Sequence, residues 1–294
     1  MSRKKTKVAI VALVLLAIVI GCVIGSSEAD TKGVSGRVNI AGSSALLPLA
    51  QSAAKTFMDK NPNSVINTNG GGSGQGLQQV SDGTIDIGDS DLFADEMLDK
   101  KSASKLVDHQ VAITAIAPII NKDAGVKSLT TEQLIKVLTG KVSNWKQVGG
   151  NDCQIVLVSR PSSSGTRATF EQYALKKHAS QSNQSLETDD SGTLIQMIQS
   201  VSGSIGYVAL SYLTGDPQVG IVSINGVKPS LKNVYNGKYT VWNYEHMYTK
   251  GQPKGAAKAF LQQMLSEEYG KKIEAMGYGI ASKLTAAAKA THAK

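Results

Sequence analysis

Cysteine, histidine and aromatic side chains are all scarce in this 294-residue chain, and each scarcity removes a class of function. Of the two cysteines, Cys22 lies in an N-terminal apolar stretch, which leaves Cys153 without a partner for an internal disulfide. Cys153 precedes the apolar run 155–158 and is expected to be a buried spectator thiol. Aromatic residues make up 5% of the chain, too few for a face built on stacking, as sugar or single-stranded nucleic acid sites usually need. Basic residues never interleave with aromatics in a run, which speaks against nucleic acid as a partner. The four histidines (His109, His178, His246 and His292) lack metal-ligand spacing and read as surface or packing residues. No nucleophile–base pair or acid–base constellation stands out. The expectation is therefore a protein that is not an enzyme and needs no metal or cofactor.

What is present begins with a basic start, Arg3, Lys4, Lys5 and Lys7, followed by an apolar run from Val8 to Ile20 that Gly21, Cys22, Val23, Ile24 and Gly25 extend. A core helix keeps a polar face and this segment has none, so residues 1–25 read as an export signal or membrane anchor. Two outcomes fit. Val19-Ile20-Gly21-Cys22 resembles a lipoprotein processing site with Cys22 as the lipidated residue, although small residues usually stand where Ile20 does. Alternatively the apolar run, about 18 residues long, remains as an uncleaved span. Either way the rest is expected outside the cytoplasm, tethered to the outer face of the cell membrane. Residues 26–35 are small and polar and read as a tether. Residues 1–30 hold four basic and two acidic side chains, so the 31 Lys+Arg and 23 Asp+Glu of the chain leave a net +6 beyond them. That excess suits an anion, though solvated surface charge gives the same number. With 41% hydrophobic and 18% charged residues, the body is globular and large enough for one large domain or two lobes.

One local design recurs three times: a short apolar strand, a loop of Ser and Gly, then a helix. Residues 37–41 alternate as a strand; Gly42, Ser43 and Ser44 follow, and Leu46, Leu49, Ala50, Ala53, Ala54 and Phe57 recur at helical spacing. Residues 65–68 lead into 70–76, with five glycines in seven residues around Ser73, and then a helix with Leu77 and Val80 inward. Residues 155–159 lead through Arg160, Ser162, Ser163, Ser164, Gly165, Thr166 and Arg167 into a helix carrying Phe170, Tyr173 and Ala174. A helix N-terminus exposes unpaired N–H groups and partial positive charge, and glycine lets backbone approach a ligand. Three such ends converging would surround a tetrahedral oxyanion. Ser or Thr before a helix is also an ordinary cap, which is the simpler reading for Ser43-Ser44 alone. The glycine density of 70–76 and the two arginines flanking four hydroxyl residues exceed what capping requires.

Related loop motifs do not fit. Leu77-Gln78 stand where a nucleotide phosphate loop needs Lys and Ser/Thr, and Gln75 breaks both the dinucleotide fingerprint and the serine-hydrolase elbow. A fourth segment, 85–91, ends a short strand with Asp86, Asp89, Ser90 and Asp91. A carboxylate beside an anion is reasonable if the ligand keeps a proton, because an ionised Asp only accepts hydrogen bonds. Sulfate, which has no proton to give at neutral pH, would face repulsion, a mismatch that discriminates by roughly 10⁴-fold. Asp91 is the expected acceptor; Asp86 and Asp89 read as a solvated turn or cap.

Taken together, residues 41–44, 70–76, 86–91, 129–136 with 140–145, 160–170 and 203–208 resemble, in order and spacing, the substrate-binding protein of the high-affinity phosphate ABC transporter, over nearly all of 36–281. The resemblance implies an α/β periplasmic-binding-protein type II fold: two lobes, each a mixed sheet flanked by helices, with phosphate held between them. It implies phosphate contacts from Ser44, the Ala45 backbone, Ser73 and Asp91 in one lobe, and from Arg160, Ser164, Gly165 and Thr166 in the other. Ser43, Gly72, Ser90 and Arg167 are further candidates. Many relatives have Thr-Phe at Ser44-Ala45, and some have an Asp orienting the arginine where this chain has Ser162, so Arg167 is a candidate to share the role of Arg160. The implied partners are inorganic phosphate and the permease subunits of the transporter, with the binding protein a monomer.

Thr130 and Gln133 form a capping box for a packed helix with Leu134, Val137 and Leu138 inward. Residues 257–276 read as closing helical structure on the first lobe. The expected boundaries are 36–115 for the first part of lobe 1, 116–234 for lobe 2, 235–284 for the return to lobe 1, and 285–294 as a flexible tail. Residues 112–120 and 239–248 are strand-like and are expected to be the hinge crossings. Function is expected to be phosphate capture by ligand-driven closure and delivery for uptake. The competing readings are another oxyanion such as sulfate or molybdate, and a surface phosphate sensor or adhesin.

Overall fold

A computed structural model describes residues 33–181 and 185–292 of the chain. The expected signal or anchor, the Cys22 lipidation site and most of the tether lie outside the described residues. Among the described residues no helix is long and apolar enough to cross a membrane.

The strands are β1 (Gly36–Gly42), β2 (Ser64–Gly70), β3 (Ile87–Ser90), β4 (Leu106–Ile120), β5 (Ser128–Leu129), β6 (Val156–Ser159), β7 (Ser185–Glu187), β8 (Ser204–Ala209), β9 (Gly220–Ile221), β10 (Ser223–Ile224) and β11 (Trp242–Lys250). The main sheet runs β2-β1-β3-β11-β4-β8-β6-β7 with β9 beside β4, while β10 and β5 form a separate pair. Two parallel groups stand at its ends. β1 pairs in parallel with β2, from Gly36 opposite Ser64 to Gly42 opposite Gly70, and with β3 through Gly42 opposite Asp89. β6 likewise pairs in parallel with β7 and β8.

Two long strands join the groups. β4 pairs with β11 up to Ala115, opposite Trp242, and changes partner at Ile116, which faces Ala209 of β8. β11 runs antiparallel between β3 and β4, and its register with β4 shifts between Glu245 and His246, where Val111 of β4 is the extra residue.

Helices cover the sheet as their apolar spacing demands. Helix Leu47–Lys60 buries Leu49, Ala50, Ala53, Ala54 and Phe57 on one face. Helix Gly255–Met264 packs on it, with Phe57 and Phe260 edge-to-face at 5.8 Å. Helices 255–264 and 267–273 thus close the core around β1, matching the expected closing structure. Each fully buried Leu or Phe here contributes about 1.5–3 kcal/mol. In the second group, the Thr130–Gln133 capping box is formed and Leu134, Val137 and Leu138 are buried. Trp145 is buried beside them and its Nε1–H donates to the Gly203 carbonyl at 2.8 Å.

Two expectations change. In place of a flexible tail over 285–294, residues 286–290 form a helix with Ala288 fully buried. His292 stacks on Tyr173 at 3.8 Å and lies 3.9 Å from Trp242, since small residues and an aromatic ring give this segment apolar area to bury. Cys153 is half-buried rather than buried, its Sγ 3.9 Å from the Asp123 carbonyl, because it sits in the turn before the β6 run instead of on the strand.

Candidate ligand-binding site

Parallel pairing places the carboxyl ends of β1, β2 and β3 side by side, and the same holds for β6, β7 and β8. The carboxyl ends of strands are where ligands bind in α/β sheets. The loops after these six strands meet, and the site is built from them.

The first loop turns at Gly42, with φ of +140°. A Cβ there would lie 2.1 Å from the Asp89 carbonyl oxygen, so no other residue fits. The Ser43 N–H donates to that carbonyl at 2.9 Å. Ser43 Oγ then donates to Asp91 Oδ1 and accepts the Ala45 and Leu46 N–H groups at 3.0 and 3.3 Å. Ser43, a secondary candidate in the sequence, is thus the first-loop hydroxyl on Asp91. From the second loop, Ser73 Oγ accepts the Asp91 N–H at 3.0 Å. The density of glycine here is partly a packing demand: a Cβ on Gly76 would meet the Ala41 and Asp89 carbonyl oxygens at 2.7 Å.

The third loop reaches Asp91 from the other side. Thr166 Oγ1 donates to Asp91 Oδ2 at 2.6 Å. Ser164 caps helix Gly165–Tyr173, accepting the Arg167 N–H at 3.4 Å. Gly165 is so close to the first group that a Cβ would lie 2.3 Å from Ser73 Oγ and 2.8 Å from Asp91 Cβ. Backbone also crosses here, with the Gly74 N–H donating to the Ser163 carbonyl at 3.0 Å.

Arg160 is completely buried. Its Nη1 donates to the Asp189 carbonyl at 3.1 Å, Nη2 to Ser191 Oγ at 3.0 Å, and Nε to the Tyr207 carbonyl at 3.4 Å. Ser44 Oγ donates to the same Asp189 carbonyl at 2.8 Å and lies 3.0 Å from Ser191 Oγ. Each hydroxyl has one proton, so Ser191 donates to Ser44 and a closed ring links Arg160, Ser191, Ser44 and Asp189. The Asp189 carboxylate, 3.9 Å from Nη1, adds charge. Burial raises the pKa of Asp189, and the neighbouring guanidinium opposes that rise. Burial lowers that of Arg160, which still stays charged.

The loop after β7 and the Tyr207 carbonyl therefore hold Arg160, the task that Ser162 leaves open. Arg167 does not share the role. Its guanidinium donates to Glu171 at 2.8 Å, to the Arg160 carbonyl at 2.6 Å and to the Ser180 carbonyl at 3.4 Å, fixing the loop from behind. Ser90 also turns away, donating to the Leu92 carbonyl at 2.8 Å. The other sequence candidates, Ser44, Ala45, Gly72, Ser73, Asp91, Arg160, Ser164, Gly165 and Thr166, are brought together. Ala45 is fully buried; its carbonyl accepts from Tyr278 Oη at 2.5 Å and Ser211 Oγ at 3.3 Å, and Tyr212 Oη donates to the Ser44 carbonyl at 2.8 Å.

Asp86 and Asp89 part company. Asp86 is exposed, as expected, but its carboxylate accepts the Asn39 N–H of β1 at 2.8 Å instead of closing a turn. Asp89 is buried rather than solvated, because β3 lies between β1 and β11 in the sheet. Burial, and then the charge of Asp91, push its carboxyl well above the usual range. Glu245 of β11 is buried close by and raised by the same causes.

Sequence reasoning missed Asp189, Ser191, Tyr207, Tyr212 and Glu245. For the first two a signal exists: after 185–187, Asp189-Asp190-Ser191-Gly192-Thr193 opens helix Ser191–Ser200, a fourth copy of the strand–loop–helix design. Nothing local marks Tyr212 or Glu245.

Comparison with known proteins places this geometry. A family model described as the PBP superfamily domain matches residues 26–268. The chain is 45% identical over 280 residues to the phosphate-binding protein PstS of Bacillus subtilis, covering 92% of each. It is 28% identical to PstS of Borreliella burgdorferi, over 69% of this chain and 75% of that one. Among solved structures, one described as a phosphate ABC transporter substrate-binding protein with bound phosphate, from Clostridium perfringens, superposes with a TM-score of 0.75 at 32% identity, covering 83% of this chain and 98% of the other. An ABC-type phosphate transport receptor from Vibrio cholerae shares the fold, with a TM-score of 0.65 at 24% identity over 83% of this chain and 99% of that one.

Proposed function

This chain belongs to the phosphate-binding proteins of the PBP superfamily, and on that premise we propose how its own residues take up phosphate. It captures inorganic phosphate between two lobes and delivers it to an ABC transporter. The observation that carries the reading is Asp91, a buried acceptor ringed by donors from both strand groups.

Lobe 1 comprises about 36–115 and 235–284, lobe 2 about 116–234, with β4 and β11 as the hinge. Phosphate oxygens replace the bonds that the loops now make to one another. Ser43, Ser44, Ser73, Ser164 and Thr166 supply hydroxyls, the Ala45 and Gly165 region supplies backbone N–H at helix starts, and Arg160 supplies charge. Asp91 accepts the proton the anion keeps. Because ligand touches both lobes, it favours the closed form, and a permease that recognises that form takes up loaded protein. The protein works outside the cytoplasm as a tethered monomer; its relatives are named as binding and transport proteins, not as enzymes.

Calorimetry with phosphate and sulfate tests the reading. Wild-type protein is expected to prefer phosphate by about 10⁴-fold, and Asp91→Asn is expected to shrink that preference on the order of 100-fold, since an amide can donate as well as accept. Equal affinity of the wild type for both anions would favour a general oxyanion binder instead.

A further inference from the structure

Beside Asp91 lies a carboxyl group that binding by the loops does not use. Glu245 is fully buried, no hydrogen bond of ordinary length reaches Oε1 or Oε2, and the neutral donor beside it is the Asn243 amide, which eases its charge only in part. β11 runs antiparallel to β3 with His246 opposite Ser90, which places Glu245 level with Asp91 at the β3 end, where the charges of Asp91 and Asp89 act on it. The Asn243 amide on the same strand donates to the Tyr244 carbonyl at 2.8 Å. Tyr278 gives its proton to the Ala45 carbonyl and Tyr212 to the Ser44 carbonyl. Two carboxylates facing each other without a donor between them repel, and three buried carboxylates cannot all be charged.

We propose that Glu245 is a positioning residue for phosphate binding: it carries a proton and donates it to the Asp91 carboxylate. The inference rests on the phosphate reading. An ionised carboxylate has about four lone-pair sites. Ser43 and Thr166 occupy two of them without ligand; when those hydroxyls turn to phosphate, Glu245 still holds Asp91 in place and leaves it free to accept the O–H of a protonated oxyanion. Neutral Glu245 also spares the anion a further negative charge. The groups facing Glu245 are Asp89 and Asp91 from the β3 end, Tyr212 from the turn after β8 and Tyr278 from the segment before 279. Arg160 acts on the cluster through Asp91, β4 presents Ala112 opposite, and the neighbour His246 pairs with Asp108. Burial raises Glu245 first, with the Asp91 and Asp89 charges adding to it.

Glutamine mimics a protonated glutamate, and leucine removes the donor. In phosphate calorimetry on the whole protein at neutral pH, Glu245→Gln is expected to bind within about 3-fold of wild type, and Glu245→Leu about 10- to 100-fold more weakly. A Gln variant as weak as Leu, or a Leu variant as tight as wild type, overturns the proposal. Stability gives a second readout. A carboxyl raised in the folded state supports folding fully below the ordinary glutamate range, and that support is lost as pH rises towards the folded value. Gln has no proton to lose, so its urea midpoint should gain on that of wild type as pH rises from the ordinary glutamate range. A constant difference overturns the idea. An infrared carbonyl band of a protonated acid that loses intensity in Glu245→Gln supports it; a band of equal intensity in both proteins overturns it. If the wild type itself takes up no phosphate, the phosphate reading fails, while the infrared and stability results still decide the proton on Glu245.

Discussion

Arg160→Met should bind no measurable phosphate and unfold with a free energy about 3–5 kcal/mol below wild type, the cost of breaking a buried ion pair from one side. Arg160 is wholly enclosed, and its removal takes a donor from the Tyr207 and Asp189 carbonyls and from Ser191 Oγ and leaves the Asp189 carboxylate without its cation. A flexible side chain elsewhere cannot replace it, because Arg167 is already committed to Glu171 and to two carbonyls. Arg160→Lys should recover part of the stability and little of the binding. An ammonium keeps the charge but lacks the planar fork that reaches both Asp189 and Ser191. Urea titration followed by phosphate calorimetry checks both variants. Near-wild-type binding by Arg160→Met would remove this arginine from the site.

Gly165→Ala should separate binding from folding in the opposite manner. Gly165 opens a helix, where alanine is intrinsically better by about 1 kcal/mol. Unliganded stability should therefore hold or rise slightly. The added methyl, however, points at Ser73 Oγ 2.3 Å away and at the Asp91 side chain, both on the other strand group. Neither can retreat cheaply, since Ser73 Oγ holds the Asp91 N–H and Asp91 is buried among its donors. The two groups must stay further apart, by something near an ångström, and a misplacement of that size costs about 100-fold. Phosphate affinity measured beside a thermal melt tests this. A fall in both together would mean that Gly165 serves the fold rather than closure.

Legibility in the sequence follows the range of the forces involved. The helix faces at 47–60 and 131–138 are readable because apolar spacing acts over a few residues, and the capping box at Thr130 and Gln133 because it is complete within one turn. Arg160, Ser164 and Thr166 are readable for the same reason: they crowd into one loop. Asp189 and Ser191 carry the same local signature. A solvated Asp89 is the wrong expectation because its burial depends on β11, which joins β3 from more than 150 residues further along the chain. A flexible tail is wrong because the partners of His292, Tyr173 and Trp242, come from two distant segments.

By itself the sequence determined the vocabulary of the site: hydroxyls and glycines at helix starts, an arginine, and a carboxylate suited to a protonated oxyanion. Those features rest on side-chain chemistry and short-range spacing, which need no neighbour to be defined. The tertiary structure alone decided which hydroxyl reaches Asp91, which arginine faces inward, what orients it, and that Glu245 is buried beside the acceptor. Parallel pairing decides the first three by setting six strand ends next to one another. The pairing of β11 between β3 and β4 decides the last by setting one side chain in a place where a charge cannot be solvated.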